Sequence, residues 1–148
     1  MSLHFDDVAV GTQWQTPSIN VCEEEIMRFA REWDPQPFHL DKEAAKASVF
    51  GELCASGLQT LLLSYRLFQQ LKLFEGTTLA GLGMDHLRFH APVLAGDTIY
   101  VRVVVEEAVV TSKPGRGLLK LRLSTYRMDE LLADLQILLL VKLSDKDL

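Results

Sequence analysis

The hydrophobic pattern of this chain changes its period at Gly76, and that change limits the folds the chain can adopt. Before Gly76, residues 56–73 are apolar on nearly every side of a helix, which is typical of a helix buried inside a domain. The nearly continuous apolar run at residues 135–143 is typical of a strand in the middle of a sheet or at an interface. The sequence therefore predicts an α+β fold in which an antiparallel meander of long strands wraps around one long central helix. The other strands are predicted where apolar and polar residues alternate, at residues 87–89, 99–105 and 119–123.

A shorter helix is predicted over residues 22–32, ahead of the central one. Ile26, Phe29, Ala30 and Trp33 recur at the spacing of one helix face, so we expect all four to pack against the core. Three glutamates follow Cys22, in the first turn, where the helix dipole favours negative charge. This helix ends where a proline-containing loop begins, so its role in the fold is to aim that loop.

Length and composition exclude several classes of protein. The 148 residues suit one domain spanning 1–148, and a hydrophobic fraction of 48% is ample for its core. The formal net charge of −5 argues against a nucleic-acid partner, because phosphate binding depends on clustered lysine and arginine. Cys22 and Cys54 show no redox or zinc-binding spacing, so we expect two buried thiols in a reducing cytoplasm. Neither a signal peptide nor an apolar run long enough for a membrane span is evident.

Residues 34–41, which read D-P-Q-P-F-H-L-D, place a carboxylate and an imidazole on a stiff segment. Two prolines keep residues 34–37 out of the helical conformation, so this stretch is an extended or turned loop. Asp34 and His39 can thus be held at one point in space, as acid–base catalysis requires. The same pattern also fits a turn with a structural histidine. Asp41 is predicted to cap a further helical turn.

Three ordered segments resemble the MaoC-like (R)-specific hydratase and dehydratase family. Residues 34–41 are similar to its D-x-N-P-x-H-x-D signature. Residues 55–58, A-S-G-L, resemble its A-H-G-[ML] segment, which opens the central helix. Residues 87–98, L-R-F-H-A-P-V-L-A-G-D-T, resemble its R-F-x-x-P-V-x-x-G-D-T segment. The resemblance implies the hotdog fold and a homodimer or higher homo-oligomer, because lone hotdog sheets usually pair edge to edge.

The resemblance also implies a hydro-lyase that acts on an enoyl or 3-hydroxyacyl thioester, most simply linked to coenzyme A. Asp34 and His39 would be its catalytic dyad, and the Gly57 amide would bind the substrate oxygen. A histidine titrates near neutrality, and an amide at a helix N-terminus suits a developing oxyanion. Coenzyme A enters only as part of the substrate, so we expect no separate cofactor and no metal.

Three positions depart from the family pattern and bear on the substrate rather than the reaction. Gln36 stands where the family has Asn, Ser56 where it often has His, and Trp33 where it often has Gly or Ser. We assign Gln36 and Ser56, with Gly57, to substrate or oxyanion binding.

Two rival functions remain on the same fold. A hotdog thioesterase would place a carboxylate to attack the thioester carbonyl, or to activate water there, and would release free thiol. A non-catalytic acyl-binding subunit would keep the fold and lack a dyad member, whereas both Asp34 and His39 are present here.

Other polar residues have weaker functional interpretations. His86 and His90 would share a strand face and could form half of a metal site, but no third ligand is evident. Four cationic residues could bind the phosphates of coenzyme A or simply be solvated. They are Arg88, Lys113, Arg116 and Arg122.

Overall fold

The long strands form one antiparallel sheet in the computed structural model, which describes residues 2–145. Along the sheet the order is β1-β4-β5-β6-β3, and β2 pairs separately with β4. The strands are β1 (Gln13–Gln15), β2 (Ile19–Asn20), β3 (Thr78–Phe89), β4 (Thr98–Val110), β5 (Arg116–Arg127) and β6 (Glu130–Lys142). Strands β4, β5 and β6 form the predicted meander. β3, however, pairs with β6 at the far edge, so the expected order is wrong for that strand. Alternation of apolar and polar residues shows which face of a strand is buried, but it does not show which strand pairs with it.

Within residues 2–145 the sheet is accompanied by a short 3-10 helix (Phe5–Asp7) and by the α-helices α1 (Glu23–Trp33), α2 (Pro37–Leu40), α3 (Lys42–Lys46) and α4 (Gly57–Gln70). The longest, α4, packs against β4 and β5, and Leu67 and Phe68 are buried there. Asp41 caps α3 as predicted, since its side chain accepts a hydrogen bond from the Glu43 amide at 2.9 Å. A long helix held by an antiparallel sheet is the hotdog arrangement, so the predicted fold class is confirmed. No helix within residues 2–145 is long and apolar enough to cross a membrane.

The core lies between α4 and the inward face of the sheet. Every second residue of the central strands is almost fully buried, as the alternation predicted. β6 is central, with β5 on one side and β3 on the other, and its second face is only partly buried. The inward residues are Ile99, Val101, Val103 and Val105 on β4, Leu119, Leu121 and Leu123 on β5, and Leu135, Ile137 and Leu139 on β6.

Helix α4 does not have the all-round burial that its composition predicted. Its buried side carries Thr60 and Ser64, whereas Leu58 and Leu62 are 51% and 56% exposed. The buried hydroxyls are satisfied, because Ser64 Oγ lies 2.6 Å from Thr125 Oγ1 on β5 and also donates to the Thr60 carbonyl. The prediction counted apolar residues and could not detect hydrogen-bond partners on another element.

Two further burial predictions are wrong. Trp33 is 64% exposed although it continues the apolar stripe of α1, whose members Ile26 and Ala30 are fully buried. Trp33 is the last residue of α1. Cys22 is exposed at the N-cap of α1, while Cys54 is buried as expected.

Candidate active site

The turn after α1 delivers both members of the predicted dyad. Asp34 precedes Pro35, which disfavours helical backbone for Asp34, and its amide donates to the last turn of α1 at 3.0 Å. Pro37 then occupies the first position of the one-turn helix α2, where its missing N–H costs nothing. His39 therefore lies on α2 and not on an extended loop, which corrects the predicted local structure.

His39 has a fixed tautomer. Its side chain is buried, and Nδ1 lies 2.6 Å from the main-chain oxygen of Cys54. A carbonyl oxygen can only accept, so Nδ1 carries the hydrogen and donates it. Nε2 is thereby left as the nitrogen with a free lone pair in the neutral ring. The ring is further held edge-on against Phe38, with 4.5 Å between centroids.

Asp34 faces that free nitrogen. Its Oδ2 lies 3.5 Å from His39 Nε2 and accepts a hydrogen bond from Ser56 Oγ at 2.6 Å. A carboxylate oxygen and an unprotonated Nε2 are both acceptors, so a proton or a water molecule must lie between them for attraction. The pair is thus arranged to take up and return one proton, which is the requirement for general acid–base catalysis.

The first turn of α4 completes the site. Ser56 is its N-cap residue, and its hydroxyl accepts the Leu58 amide at 3.2 Å. Among residues 2–145, the Gly57 amide has no hydrogen-bond partner, which leaves one of the helix's orphan donors free. A Cβ at Gly57 would lie 2.7 Å from ring carbons of Phe89, so a larger residue here would force the Phe89 side chain to shift.

A cavity of about 240 Å³ adjoins these groups. Its polar wall includes His39, Gly57 and Thr60, and most of the remaining wall is apolar. An apolar pocket with a few convergent polar groups is the usual form of a small-molecule site. The remaining lining residues are Phe38, Phe50, Cys54, Ala55, Phe89, His90, Ala91, Pro92 and Val93.

The loop before β4 holds the Cys54 segment beside the cavity. Val93 accepts the Ala55 amide at 2.8 Å, and Cys54 forms an isolated bridge with Leu94. Asp97 fixes this loop by accepting the Leu94 amide at 2.8 Å and by pairing with Arg127. The position of the Cys54 carbonyl, which accepts the hydrogen bond from His39, is therefore fixed by backbone pairing with Val93 and Leu94, about 40 residues later in the sequence.

Four of the five site residues assigned from the sequence come together: Asp34, His39, Ser56 and Gly57. Gln36 is exposed at the N-cap of α2 and does not line the cavity.

Sequence reasoning missed Thr60, Phe89 and the Cys54 carbonyl. Thr60 follows Gly57 by three residues on a helix, a spacing that could have placed it on the same face. The Cys54 carbonyl left no signal in the sequence, because every residue has one.

The remaining cationic and histidine residues do not form a second site. Arg122 pairs with Glu106 and Asp134, and hydrogen bonding to Glu106 raises the pKa of Arg122. Arg116 lies at the other end of β5, opposite Lys142, so the four predicted phosphate-binding residues are not gathered at one place.

The proposed histidine pair is also disrupted. His86 adopts a positive φ of 56° at an irregularity of β3, which breaks the alternation that put it on the same face as His90. His90 Nε2 instead lies 2.9 Å from Asp134. Within residues 2–145, no group of three or more His, Cys, Asp or Glu could hold a metal ion.

Comparison with known proteins gives consistent matches over most of the chain. A family model described as MaoC like domain matches residues 7–123. The uncharacterized protein YdeM of Bacillus subtilis is 36% identical over 131 residues, covering 86% of this chain and 90% of that protein. The 3-hydroxybutyryl-CoA dehydratase of Methylorubrum extorquens is 30% identical over 119 residues, covering 77% of this chain and 71% of that protein. The crystal structure of a MaoC-like dehydratase from Rhodospirillum rubrum matches with a TM-score of 0.89 at 30% identity, covering 97% of this chain and 99% of that one.

Proposed function

This chain belongs to the MaoC-like domain family, and from that premise we propose that it adds water reversibly to an enoyl thioester. The observation that carries the proposal is that Asp34 lies 3.5 Å from His39, while His39 and the free Gly57 amide line one cavity. Acid–base groups on one side and an oxyanion donor on the other are what hydration next to a thioester carbonyl requires.

In the hydration direction, the oxygen of a water molecule bonds to the β-carbon of the substrate. One proton of that water passes to the Asp34–His39 pair, with Nε2 as the free nitrogen of the ring. The double bond becomes single as electron density moves onto the thioester oxygen. The pair then returns a proton to the α-carbon, which yields the 3-hydroxyacyl thioester and restores the original protonation.

The Gly57 amide is proposed to stabilise the thioester oxygen as it gains negative charge. It lies at the N-terminus of a 14-residue helix, where the dipole adds to its donor strength. One donor of this kind contributes about 2.7–4 kcal/mol to the transition state. Substitution at this position would move Phe89 as well, so a glycine serves both the chemistry and the packing.

Coenzyme A is proposed as the thiol carrier, in line with the 3-hydroxybutyryl-CoA dehydratase relative. The apolar cavity wall would receive the acyl chain, and no cofactor beyond the substrate's own coenzyme A is proposed. Activity should therefore survive chelation with EDTA.

A homodimer is proposed as the working form. β3 is at the edge of the sheet and is exposed along most of its length, with Leu82 and Met84 open to solvent. Leu58 and Leu62 on α4 are exposed as well. An unpaired edge strand and exposed apolar side chains favour pairing with a second copy. Phe89, at the end of β3, lines the cavity, so the site would lie near the subunit boundary.

The function can be tested with crotonyl-CoA and with longer and branched enoyl-CoA substrates. Loss of the absorbance of the conjugated double bond, without release of free thiol, is the expected result. Asp34→Asn is the matched control, because it keeps the shape of the side chain and removes its negative charge. Thiol release in place of hydration would identify a thioesterase. Absence of turnover on the whole panel would favour a non-catalytic acyl-binding subunit.

A further inference from the structure

The Ser56 hydroxyl makes two hydrogen bonds, and both are to other groups of the protein. Oγ accepts the Leu58 amide at 3.2 Å as the N-cap of α4, and it donates to Asp34 Oδ2 at 2.6 Å. Ser56 is 0% exposed and does not line the cavity. This arrangement differs from the substrate-binding role assigned to Ser56 from the sequence.

The two hydrogen bonds have directions that the chemistry fixes. The Leu58 N–H can only donate, so it occupies a lone pair of Oγ and leaves the hydroxyl hydrogen available. That hydrogen can then be given to Asp34, whose ionised form offers only acceptors. A short hydrogen bond to a charged acceptor is stronger than a neutral one, and complete burial of Ser56 removes competition from water.

We propose that Ser56 is a positioning residue, which orients the Asp34 carboxylate through its buried hydroxyl at the N-terminus of α4. The inference rests on the proposed function, in which Asp34 belongs to the catalytic pair. With Oδ2 fixed by Ser56 and facing His39 Nε2, Oδ1 has no hydrogen-bond partner within residues 2–145 and is open to water or substrate. The helix N-terminus thus acts on the reaction twice, through the Gly57 amide and through Asp34.

The ionisable surroundings of Asp34 are simple. On α2, His39 is its only partner at ion-pair distance within the described part of the chain. The Cys54 thiol lies behind that ring, 3.7 Å from Nδ1, and burial raises its pKa to about 11, so it is neutral at physiological pH. A change in the pH dependence caused by Ser56 would therefore report on the Asp34–His39 pair.

Three variants of Ser56 separate positioning from capping. Ser56→Ala removes the hydroxyl and the cap together. Ser56→Gly removes the hydroxyl but keeps an acceptable N-cap residue, so the helix loses little stability. Ser56→Thr keeps both hydrogen bonds. Ser64→Ala is the matched control, because it removes another buried hydroxyl of α4 that has no contact with Asp34.

Steady-state hydration over a range of pH is the first measurement. Ser56→Ala and Ser56→Gly should lower kcat by about 10- to 100-fold with little change in KM, as expected for loss of a hydrogen bond to a charged group. The pH profile of kcat should also differ from that of the wild type, because the Asp34 carboxylate has lost a hydrogen-bond donor. Ser56→Thr should restore the rate and the profile. Ser64→Ala should leave the profile unchanged.

A second measurement needs no turnover. Carbon-13 NMR of aspartate-labelled protein, with the Asp34 carboxyl assigned through Asp34→Asn, should show its chemical shift at neutral pH changed in Ser56→Gly and unchanged in Ser64→Ala. An unchanged chemical shift in folded Ser56→Gly would overturn the inference even if hydration is observed. A changed chemical shift in a protein that turns over no enoyl thioester would support the hydrogen bond and reject the proposed function. A lowered kcat with an unshifted pH profile would make Ser56 only a structural cap, against the inference.

Discussion

The two sides of α4 have opposite chemical character. The side that faces the sheet and the cavity carries the buried hydroxyls of Thr60 and Ser64, and each of these hydroxyls makes a hydrogen bond. The side that faces away carries the exposed leucines Leu58 and Leu62. A buried helix face need not be apolar when its polar groups are satisfied, and an apolar face need not be buried within one chain. The inner side serves chemistry and folding, whereas we assign the outer side to assembly.

The largest expected effect is at the dyad, which a hydrogen bond from Ser56 to Asp34 links to the N-terminal end of α4. Asp34→Asn and His39→Ala should each lower hydration by about 10²–10⁴-fold, because each removes one half of a proton-transferring pair. The double variant should be little slower than either single one, since groups acting as a unit are not additive. Steady-state rates measured alongside thermal melts and light scattering provide the test. Near-normal turnover in either single variant, or losses that merely follow unfolding, would show that Asp34 and His39 are structural only.

An intermediate effect is expected on the outer side. Leu62→Glu places a charge where a half-exposed leucine would be covered by a second copy. Losing the burial of one leucine corresponds to about 1.5–3 kcal/mol, so the dimer Kd should rise by roughly 10- to 100-fold or more while each chain stays folded. Sedimentation or light scattering across a dilution series measures it, and Gln69→Glu on the same helix controls for the added charge. A wild-type chain that is monomeric at micromolar concentration would contradict the assignment of this side to assembly.

The smallest expected effect concerns Cys54, which is buried beside the cavity and precedes α4. Burial raises the pKa of Cys54 from 9.0 to about 11, so the folded protein keeps this proton at a pH where the unfolded chain loses it. Stability from this group is therefore complete below about pH 9 and is lost as the pH rises toward 11, by at most about 1.4 kcal/mol per pH unit. Urea unfolding of wild type and Cys54→Ala across this range measures the difference. Cys22→Ala, which removes an exposed thiol, is the control, and parallel slopes in all three proteins would refute the prediction.

The strands were predictable because their signal is local. Residues such as Val101 and Leu121 alternate with polar neighbours, and a period of two on a half-buried strand follows from backbone geometry alone. The position of β3 beside β6 was not predictable in this way, because pairing depends on how the chain crosses the sheet. The burial of Ser64 escaped prediction for a related reason, since its partner Thr125 lies 61 residues away.

The part of the candidate site that depends on the identity and spacing of side chains was predictable from the sequence. The two prolines and the spacing of Asp34 and His39 indicated a rigid pair, and in the structure Asp34 Oδ2 lies 3.5 Å from His39 Nε2. The function of Ser56 was not readable, because a serine before a helix looks the same whether its hydroxyl faces a substrate or a carboxylate. Only the distances to Leu58 and Asp34 separate these two alternatives.

Because His39 donates to a main-chain oxygen, that of Cys54, its hydrogen bond places little constraint on the evolution of the side chain at position 54. Substituting residue 54 can alter the volume or reactivity of its side chain, but no substitution deletes its carbonyl oxygen, which holds Nδ1 at 2.6 Å. The correct tautomer of the imidazole is therefore insensitive to point mutation at the position that enforces it. Substitutions at position 54 can therefore change the shape of the cavity that this residue lines, while the hydrogen bond that orients His39 for proton transfer is kept.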